Sequence, residues 1–473
     1  MSSKKSFSTI LKERLQNAST KQWVKGCIAV VIYVLFIIWV NNFWWLLLTP
    51  FFFDAFVTKF IPWGFWKNVK NKTLRTVLGW VDAILFALIA VYFIFNFLFQ
   101  NYQIPTSSLE KTLLVGDFLC VSKATYGPRV PMTPLSFPLA QHTMPITGTK
   151  SYFEKPQWEY RRLKGITNIK RDDIVVFNFP TGDTVALKHQ NTDYYTLVHY
   201  YGRDVVRNNK QQFGDIVYRP VDRRENYVKR CVGLPGDLFE MSNNQIFING
   251  EPQPAFPGIQ HNYFVQTDGT KLSNDLLTKM GISKEDRVLL NNNYWKDLFT
   301  ALNLDPNLPV YQFPLTQENY EKMKKVKGVV QVKIEPPLPR MAGEVFPLGA
   351  NTGWNRDNYG PLYIPKKGDS LEITLENLPV YERIITAYEH NKLEVKDSII
   401  YINDEPATHY KVKMDYYWMV GDNRHKSADS RYWGFVPEDH IVGRPLFVWL
   451  SLDKDKSGLA KIRWNRFFKD ARR

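Results

Sequence analysis

The sequence predicts a mainly β protein behind N-terminal transmembrane helices, with a large mixed α/β insert. Three observations carry that reading. Two long apolar runs lie within the first hundred of 473 residues. From about residue 101 the pattern turns to short alternating stretches rich in β-branched and aromatic residues. Between about 253 and 370 it turns again, to helix-length segments with capping signals.

The first run, Gly26 to Thr49, carries no charge and is long enough to cross about 30 Å of hydrocarbon. No small-x-small site closes it, and Trp44 and Trp45 stand there instead, so it reads as an anchor rather than a cleaved leader. Asn41 and Asn42 interrupt it, which leaves residues 26–49 open as a transmembrane or a re-entrant segment. The second run, Leu78 to Phe99 with Asp82 near its start and Asn96 near its end, is the better span. Residues 1–25 carry Lys4, Lys5, Lys12, Arg14, Lys21 and Lys25 against Glu13. The loop of residues 50–77 carries Lys59, Lys67, Lys70, Lys72 and Arg75 against Asp54. The positive-inside rule puts this basic loop in the cytoplasm, so the helix of residues 78–99 exits outward and everything from about residue 101 is extracytoplasmic. Two spans then place the equally basic N-terminus outside, and the rule cannot satisfy both flanks of the first run.

In the body, Phe118–Ser122, Asp173–Phe179 and Tyr227–Val232 read as strands. Gly233-Leu234-Pro235-Gly236-Asp237 is turn chemistry. Residues 124–170, rich in Pro, Gly, Thr and Lys, read as a long irregular connection. LFEMSNNQIFINGEP (238–252) resembles KLEVKDSIIYINDEP (392–406), which fits a duplication or two hairpins solving one problem. Within the insert, 273–280, 294–302 and 316–325 read as helices, with Ser273 and Thr316 as N-caps and Gly281 as a stop. The body therefore divides into core residues 101–252, the inserted subdomain 253–370, core residues 371–450, and a basic aromatic tail, 451–473, that lies on headgroups, forms a surface helix or frays.

The formal charge of +15 suits an anionic surface. With two apolar runs, that surface is membrane lipid and not nucleic acid. Cys27, Cys120 and Cys231 form neither a disulfide framework nor a zinc pattern, since no CxxC occurs. Only Cys120 and Cys231 could pair outside the membrane, and as free thiols both are small hydrophobes.

Ile104-Pro105-Thr106-Ser107-Ser108-Leu109-Glu110-Lys111-Thr112-Leu113 follows the second run directly. Two adjacent serines at the exit from a bilayer suggest a nucleophile, Ser108, near a membrane surface. A serine hydroxyl needs a base. None of the eight histidines stands in a Ser-His-Asp context, and there is no Gly-x-Ser-x-Gly elbow. A triad is assembled in space rather than in sequence, so a histidine base stays open. Lysine is the other option, since burial lowers its pKa by roughly 3–5 units. Lys229 lies in Tyr227–Val232, a stretch that otherwise reads as a buried strand; the competing reading is an edge-strand lysine facing water. A third cluster, Gly421 to Val436, mixes small, charged and aromatic residues, as a site network or a salt-bridged loop would.

Taken together, these segments resemble the bacterial type I signal peptidases, membrane-anchored Ser/Lys proteases. The match rests on IPTSSLEKTLLVGDFLCVSK (104–123), RDDIVVFNFP (171–180), YVKRCVGLPGD (227–237) and GDNRHKSADSRYWGFVPEDHIVGR (421–444), in order behind two apolar runs. The resemblance implies an antiparallel coiled-sheet β core. It implies Ser108 as nucleophile and Lys229 as general base. The Ser108 N–H and the Thr106 hydroxyl fall at the oxyanion donors, and Ser427 at the serine that orients the lysine. Asp429 and Arg431 fall at a supporting salt bridge. Ile104, Leu109, Leu113, Tyr227 and Val228 fall where the family lines shallow pockets for small side chains. It implies no metal and no organic cofactor. The implied substrates are preproteins with Ala-x-Ala leader sites, cleaved at the outer face of the plasma (inner) membrane by a multi-pass protein in proximity to the secretion translocon. An extended substrate would add to an exposed edge at Asp173–Phe179.

Two departures stand out. Leu109 replaces the usual Met and keeps the apolar volume beside Lys229. Lys111 replaces a frequent Pro; facing Lys229 it would depress that pKa further. A Ser/Lys self-cleaving protein and a non-catalytic envelope-anchored scaffold are the competing classes. The apolar runs oppose the first, and the presence of Ser108, Lys229 and Ser427 opposes the second.

Overall fold

The structure, a computed structural model, describes residues 7–190, 192–337 and 344–472. It forms two compact units. Residues up to Phe95, with 162–164, make one; Asn96–Arg161 and Gly165 onward make the other.

In the first unit, helix α1 (Thr20–Val40) starts on a capping box between Ser19 and Gln22 and stops at Asn41, which takes a left-handed conformation at φ 50°. The Asn42 side chain then accepts from the Trp44 N–H and starts a return path. A 3-10 segment, Phe43–Leu48, leads through Thr49–Phe53 to a π turn, Asp54–Thr58. This path folds back along α1. Tyr33 stacks on Phe52 at 4.2 Å and its hydroxyl donates to the Trp45 carbonyl at 2.6 Å. Gly26 admits Val57 so closely that a Cβ there would lie 2.5 Å from the Val57 side chain. The run expected as one segment over 26–49 is thus the first arm and turn of a helical hairpin, broken where Asn41 leaves helical geometry. The Asp54 carboxylate closes the far end by accepting from the N–H groups of Phe60 and Ile61 and from Trp63 Nε1. Arg14 donates to the Thr58 carbonyl at 3.2 Å, so the N-terminal segment and residues 58–60 share one end of the hairpin. Helix α2 (Lys72–Phe93), capped by Asn71, buries none of its residues and is about 33 Å long at 1.5 Å per residue.

In the second unit the principal sheet is antiparallel. Its strands are β1 (Phe99–Gln103), β2 (Asp117–Ser122), β3 (Ile174–Asn178), β4 (Asn226–Gly233), β5 (Tyr416–Val420) and β6 (Ile441–Ser451), in the spatial order β1-β2-β6-β3-β4-β5. Two short pieces extend it: Val436–Pro437 beside β5 and Lys469–Asp470 beside β6. Register shifts at Leu119, Val121, Gly443 and Met419 break the ladders and curl the sheet. At Gly443 the strands approach so closely that a Cβ would sit 2.4 Å from the Ser122 carbonyl oxygen.

Strand β3 is central and all five of its residues are buried. β6 takes one side and β4 the other, at Ile174↔Arg230 through Asn178↔Asn226. The expectation of a substrate edge at Asp173–Phe179 is therefore wrong. A run buried on both faces, as Ile174-Val175-Val176-Phe177 is, marks an inner strand. The free edge is on β4. β5 pairs only with its far half, Arg230 to Gly233, so among the described residues no strand covers the other edge of Asn226–Lys229.

The two similar segments form the same three-stranded meander. Leu238–Ser242 and Leu393–Lys396 each turn through two residues at positive φ (Asn243-Asn244, Asp397-Ser398) into Gln245–Ile248 and Ile399–Ile402. Each repeats with a second such turn, at Asn249-Gly250 and Asn403-Asp404. Asn249 and Asn403 close their turns alike, each accepting a backbone N–H on its side-chain oxygen.

Within 253–370 a separate four-stranded sheet pairs Gln260–Thr267 with Val310–Thr316 and Val329–Ile334. Among the described residues three α-helices accompany it: α3 (Asn274–Lys279), capped by Ser273, then Asn292–Ala301 and Gln317–Met323, the last capped by Thr316. The described part of the tail, with two short 3-10 turns at Gly458–Lys461 and Trp464–Arg466, is docked on the sheet rather than frayed. Arg466 is buried against Asp117, and Lys469–Asp470 pairs with β6. The three cysteines are free thiols.

Candidate active site

Strand β1 delivers the chain through Ile104-Pro105-Thr106 into a single 3-10 turn, Ser107–Leu109. Leu109 and Leu113 are 1% and 0% exposed, so the turn is anchored by its own apolar side chains. From the other side Asn423 holds it. Its N–H donates to the Ser108 carbonyl at 3.0 Å and its side-chain amide to the Ser107 carbonyl at 3.2 Å. Ser108 itself is buried.

Lys229 sits opposite Val175 on β4 and is 4% exposed. Its Nζ donates to Ser108 Oγ at 2.9 Å and to the Val228 carbonyl at 3.1 Å, and lies 5.4 Å from the Tyr227 ring centre. Burial lowers its pKa to about 8, and the more distant Asp429 and Asp422 carboxylates offset that only in part. Thr106 Oγ1 stands 3.5 Å from Ser108 Oγ. A three-residue turn also leaves its first N–H groups without intrahelical acceptors, which is what an oxyanion donor requires.

The supporting groups divide. Asp429 and Arg431 are both fully buried and joined by bonds of 2.8 and 2.9 Å. Burial alone would raise the Asp429 carboxyl, but the Arg431 charge and its hydrogen bonds outweigh it and hold the pKa below the ordinary value. Ser427 lies beside Asp429, and its hydroxyl donates to no group on Lys229. The direct hydrogen bond expected between them is not made. Gly421 packs between Ser427 and the Ser108 carbonyl, where a Cβ would fall 2.2 and 2.7 Å from their atoms. Ile104, Leu109, Leu113 and Val228 share one apolar cluster. Leu109 and Leu113 lie beneath its surface, while Val228 is half-buried. Tyr227 belongs to a neighbouring cluster, stacked on Phe179 at 4.4 Å.

Lys111 does not face Lys229. At φ 75° it turns away, and its Nζ donates to the Met280 and Gly281 carbonyls at 3.2 and 2.5 Å, at the end of α3. The sequence reading missed the groups that hold the loop. Arg230, one residue beyond Lys229, donates twice to Asp422 at 2.7 Å, and Thr112 Oγ1 donates to the same carboxylate at 2.7 Å. The signal was the Gly421-Asp422-Asn423 triplet beside an alternating Lys-Arg strand, whose two cations must face opposite ways.

A family model described as "Signal peptidase, peptidase S26" matches residues 77–351 and 365–450. Signal peptidase I of Buchnera aphidicola subsp. Acyrthosiphon pisum is 24% identical over 396 residues, covering 82% of this chain and 79% of that protein. Signal peptidase I of Haemophilus influenzae is 23% identical over 405 residues, covering 85% and 78%. Signal peptidase I of Helicobacter pylori reaches 38%, over 81 residues that are 15% of this chain and 28% of that protein. The matched regions contain all four motif segments, and the chain belongs to the S26 family of signal peptidases.

Proposed function

We propose that the chain is a Ser/Lys endopeptidase that removes leader peptides from exported preproteins at the outer face of the plasma membrane. The observation that carries this reading is the 2.9 Å contact between a buried serine and a buried lysine that has no carboxylate partner among the described residues. Ser108 Oγ attacks the scissile carbonyl as neutral Lys229 takes its proton. The Ser108 N–H and the Thr106 hydroxyl stabilise the oxyanion. Lys229 then gives the proton to the leaving amine of the mature chain. A water, deprotonated by the same lysine, releases the leader from the acyl-enzyme.

The leader segment adds as a strand along the open edge of Asn226–Lys229, which presents its alternate side chains to the apolar cluster that holds Ile104 and Val228. Side chains of alanine size fit this reading, hence Ala-x-Ala sites. Asp429, Arg431 and Ser427 act as positioning residues around Gly421.

The N-terminal hairpin supports the orientation. With its two arms antiparallel, residues 7–25 and the loop after Thr58 lie at one end, so both basic flanks fall on the cytoplasmic side and α2 alone carries the chain outward. Ser108 follows Phe99 by nine residues, which keeps it within reach of a leader still held in lipid or delivered by the translocon.

Cleavage of an Ala-x-Ala preprotein by the full chain in detergent tests the activity. Equal cleavage by Ser108→Ala or Lys229→Ala contradicts the dyad. Topology is tested separately by Lys12→Cys in intact cells: the proposal expects protection from an impermeant thiol reagent, and labelling from outside contradicts it.

A further inference from the structure

Helix α2 buries none of its residues, and near its start its flank is hollowed. The 3-10 turn Phe65–Asn68 lies against the helix at Gly79, where an added Cβ would fall 3.1 Å from the Trp66 ring. The missing side chain leaves a shallow groove. Trp66, Gly79, Trp80 and Ala83 form its apolar part, and Lys67 and Arg75 line it too. Arg75 is one turn nearer the helix start than Gly79, and Ala83 is one turn beyond it, at spacings that keep the three on one side of the helix. The groove is therefore cationic at one end and apolar at the other.

Among the described residues no carboxylate pairs with Lys67 or Arg75, and the nearest acid along the helix, Asp82, does not line the groove. Lys67 Nζ lies 5.4 Å from the centre of the Trp66 ring. Both cationic side chains are exposed, as is Trp80, at 68%. The groove opens on a helix, Lys72–Leu98, that is long and apolar enough to cross hydrocarbon and whose apolar window is nowhere buried. A second protein helix would use Gly79 and Ala83 for close approach, but Trp80 stands between them and the two cations would enter the interface. A phospholipid needs no such approach. Its phosphate meets Lys67 and Arg75 at headgroup level, Trp80 takes the place tryptophans favour at a membrane interface, and an acyl chain lies over Gly79 and Ala83. Two cations without a counter-charge favour a headgroup that is negative overall.

We propose that this groove binds one anionic phospholipid, with Lys67 and Arg75 on the headgroup phosphate and Gly79 and Ala83 under an acyl chain. The bound lipid staples the Phe65–Asn68 turn to α2. The site rests on α2 as a membrane span, and not on the Ser/Lys chemistry.

The test is native mass spectrometry of the full chain released from detergent, comparing dioleoyl phosphatidylglycerol with dioleoyl phosphatidylcholine, which differ only in the headgroup. The first phosphatidylglycerol should bind about tenfold tighter, on the scale of two cations near a headgroup. Lys67→Gln with Arg75→Gln should remove most of that preference. Lys21→Gln with Lys25→Gln, the same charge lost from α1, should leave it. Equal binding of the two lipids overturns the site and leaves the groove to a protein helix. Equal loss in both double variants overturns it in favour of diffuse attraction to the basic segments. Should the first double variant fail to fold, Ala83→Phe decides: it keeps both cations and fills the apolar end, so weaker phosphatidylglycerol binding supports the site and unchanged binding overturns it.

Glycerol phosphate in excess separates a lipid from a free phosphate. It should not displace the bound lipid, and displacement overturns the acyl-chain subsite. Preprotein cleavage in detergent is a separate readout: its absence in the parent contradicts the peptidase reading and leaves the lipid result standing.

Discussion

Lys229 and Arg230 are neighbours on one strand, face opposite ways, and are 4% and 1% exposed. They meet different fates. On one face Arg230 is clasped by the Asp422 carboxylate through two bonds of 2.7 Å. On the other, Lys229 meets a serine hydroxyl, a backbone carbonyl and an aromatic ring, with no carboxylate in contact among the described residues. Burial therefore works against the charge on Lys229 and brings its pKa to about 8, whereas the charge of Arg230 is matched. One face of the strand meets Ser108, where we propose the chemistry, and the other holds the loop that carries Asn423. The lesson is that burial depresses a lysine's pKa where no counter-ion is in contact among the described residues.

The largest expected effect lies on the chemical face. Lys229→Met, close in volume and unable to take a proton, should lower kcat/KM by about 10⁴-fold, the upper range for general acid–base catalysis. A fall of only a few-fold in a cleavage assay would break the contrast at its centre.

Stability should separate the two faces by sign. Arg230→Met leaves Asp422 buried and unpaired and should cost about 3–5 kcal/mol in denaturant unfolding of the chain. Lys229→Met removes a cation that the fold buries at a penalty, and should stabilise by about 1–3 kcal/mol at pH 7. Destabilisation by both would mean that Lys229 is paired in solution.

Proton linkage gives a third test. The native state holds Lys229 less tightly protonated than the unfolded chain, so between about pH 8 and the unfolded value of 10.5 the unfolded state binds more protons. Stability should rise with pH across that window, by about 3 kcal/mol at most for a shift of this size. The rise should vanish in Lys229→Met.

The smallest effect concerns the insert. Lys111 ties the Ser108 segment to the end of α3 through the Met280 and Gly281 carbonyls. On the same insert Asp286 receives Lys426 from the loop that carries Ser427. Lys111→Met should lower kcat by a few-fold, equivalent to about 1 kcal/mol, with KM nearly unchanged. An unchanged kcat would show that the turn is held by Asn423 and its leucines alone.

Much of this was legible in the sequence because it is local. Ser108 and Lys229 stand in contiguous segments, Ser273 and Thr316 are caps at the residues expected of them, and the two Ile-Asn-x-Glu-Pro segments are matching turns. What stayed hidden depends on partners distant in the chain. Arg230 and Asp422 are 192 residues apart, and Lys111 reaches across 170. The substrate edge at Asp173–Phe179 came with the family resemblance, although the unbroken apolar centre of that strand already indicated cover on both faces. Asn41 and Asn42 were visible as interruptions, but only the contacts of Tyr33 and Gly26 with the returning arm show that the chain reverses there. Ser427 falls at the expected place in its motif, yet its hydroxyl lies with Asp429 rather than with Lys229.

The pH dependence of kcat/KM tests the central claim most directly, because it reports the ionisation of the free enzyme's base. With a leader-peptide substrate that does not titrate above pH 6, the account predicts a single basic-going limb. Activity should climb tenfold per unit below about pH 8 and level off above it, as Lys229 loses its proton. A limb centred near 6.5, the ordinary histidine value, or a profile flat from pH 6 to 9, would contradict it.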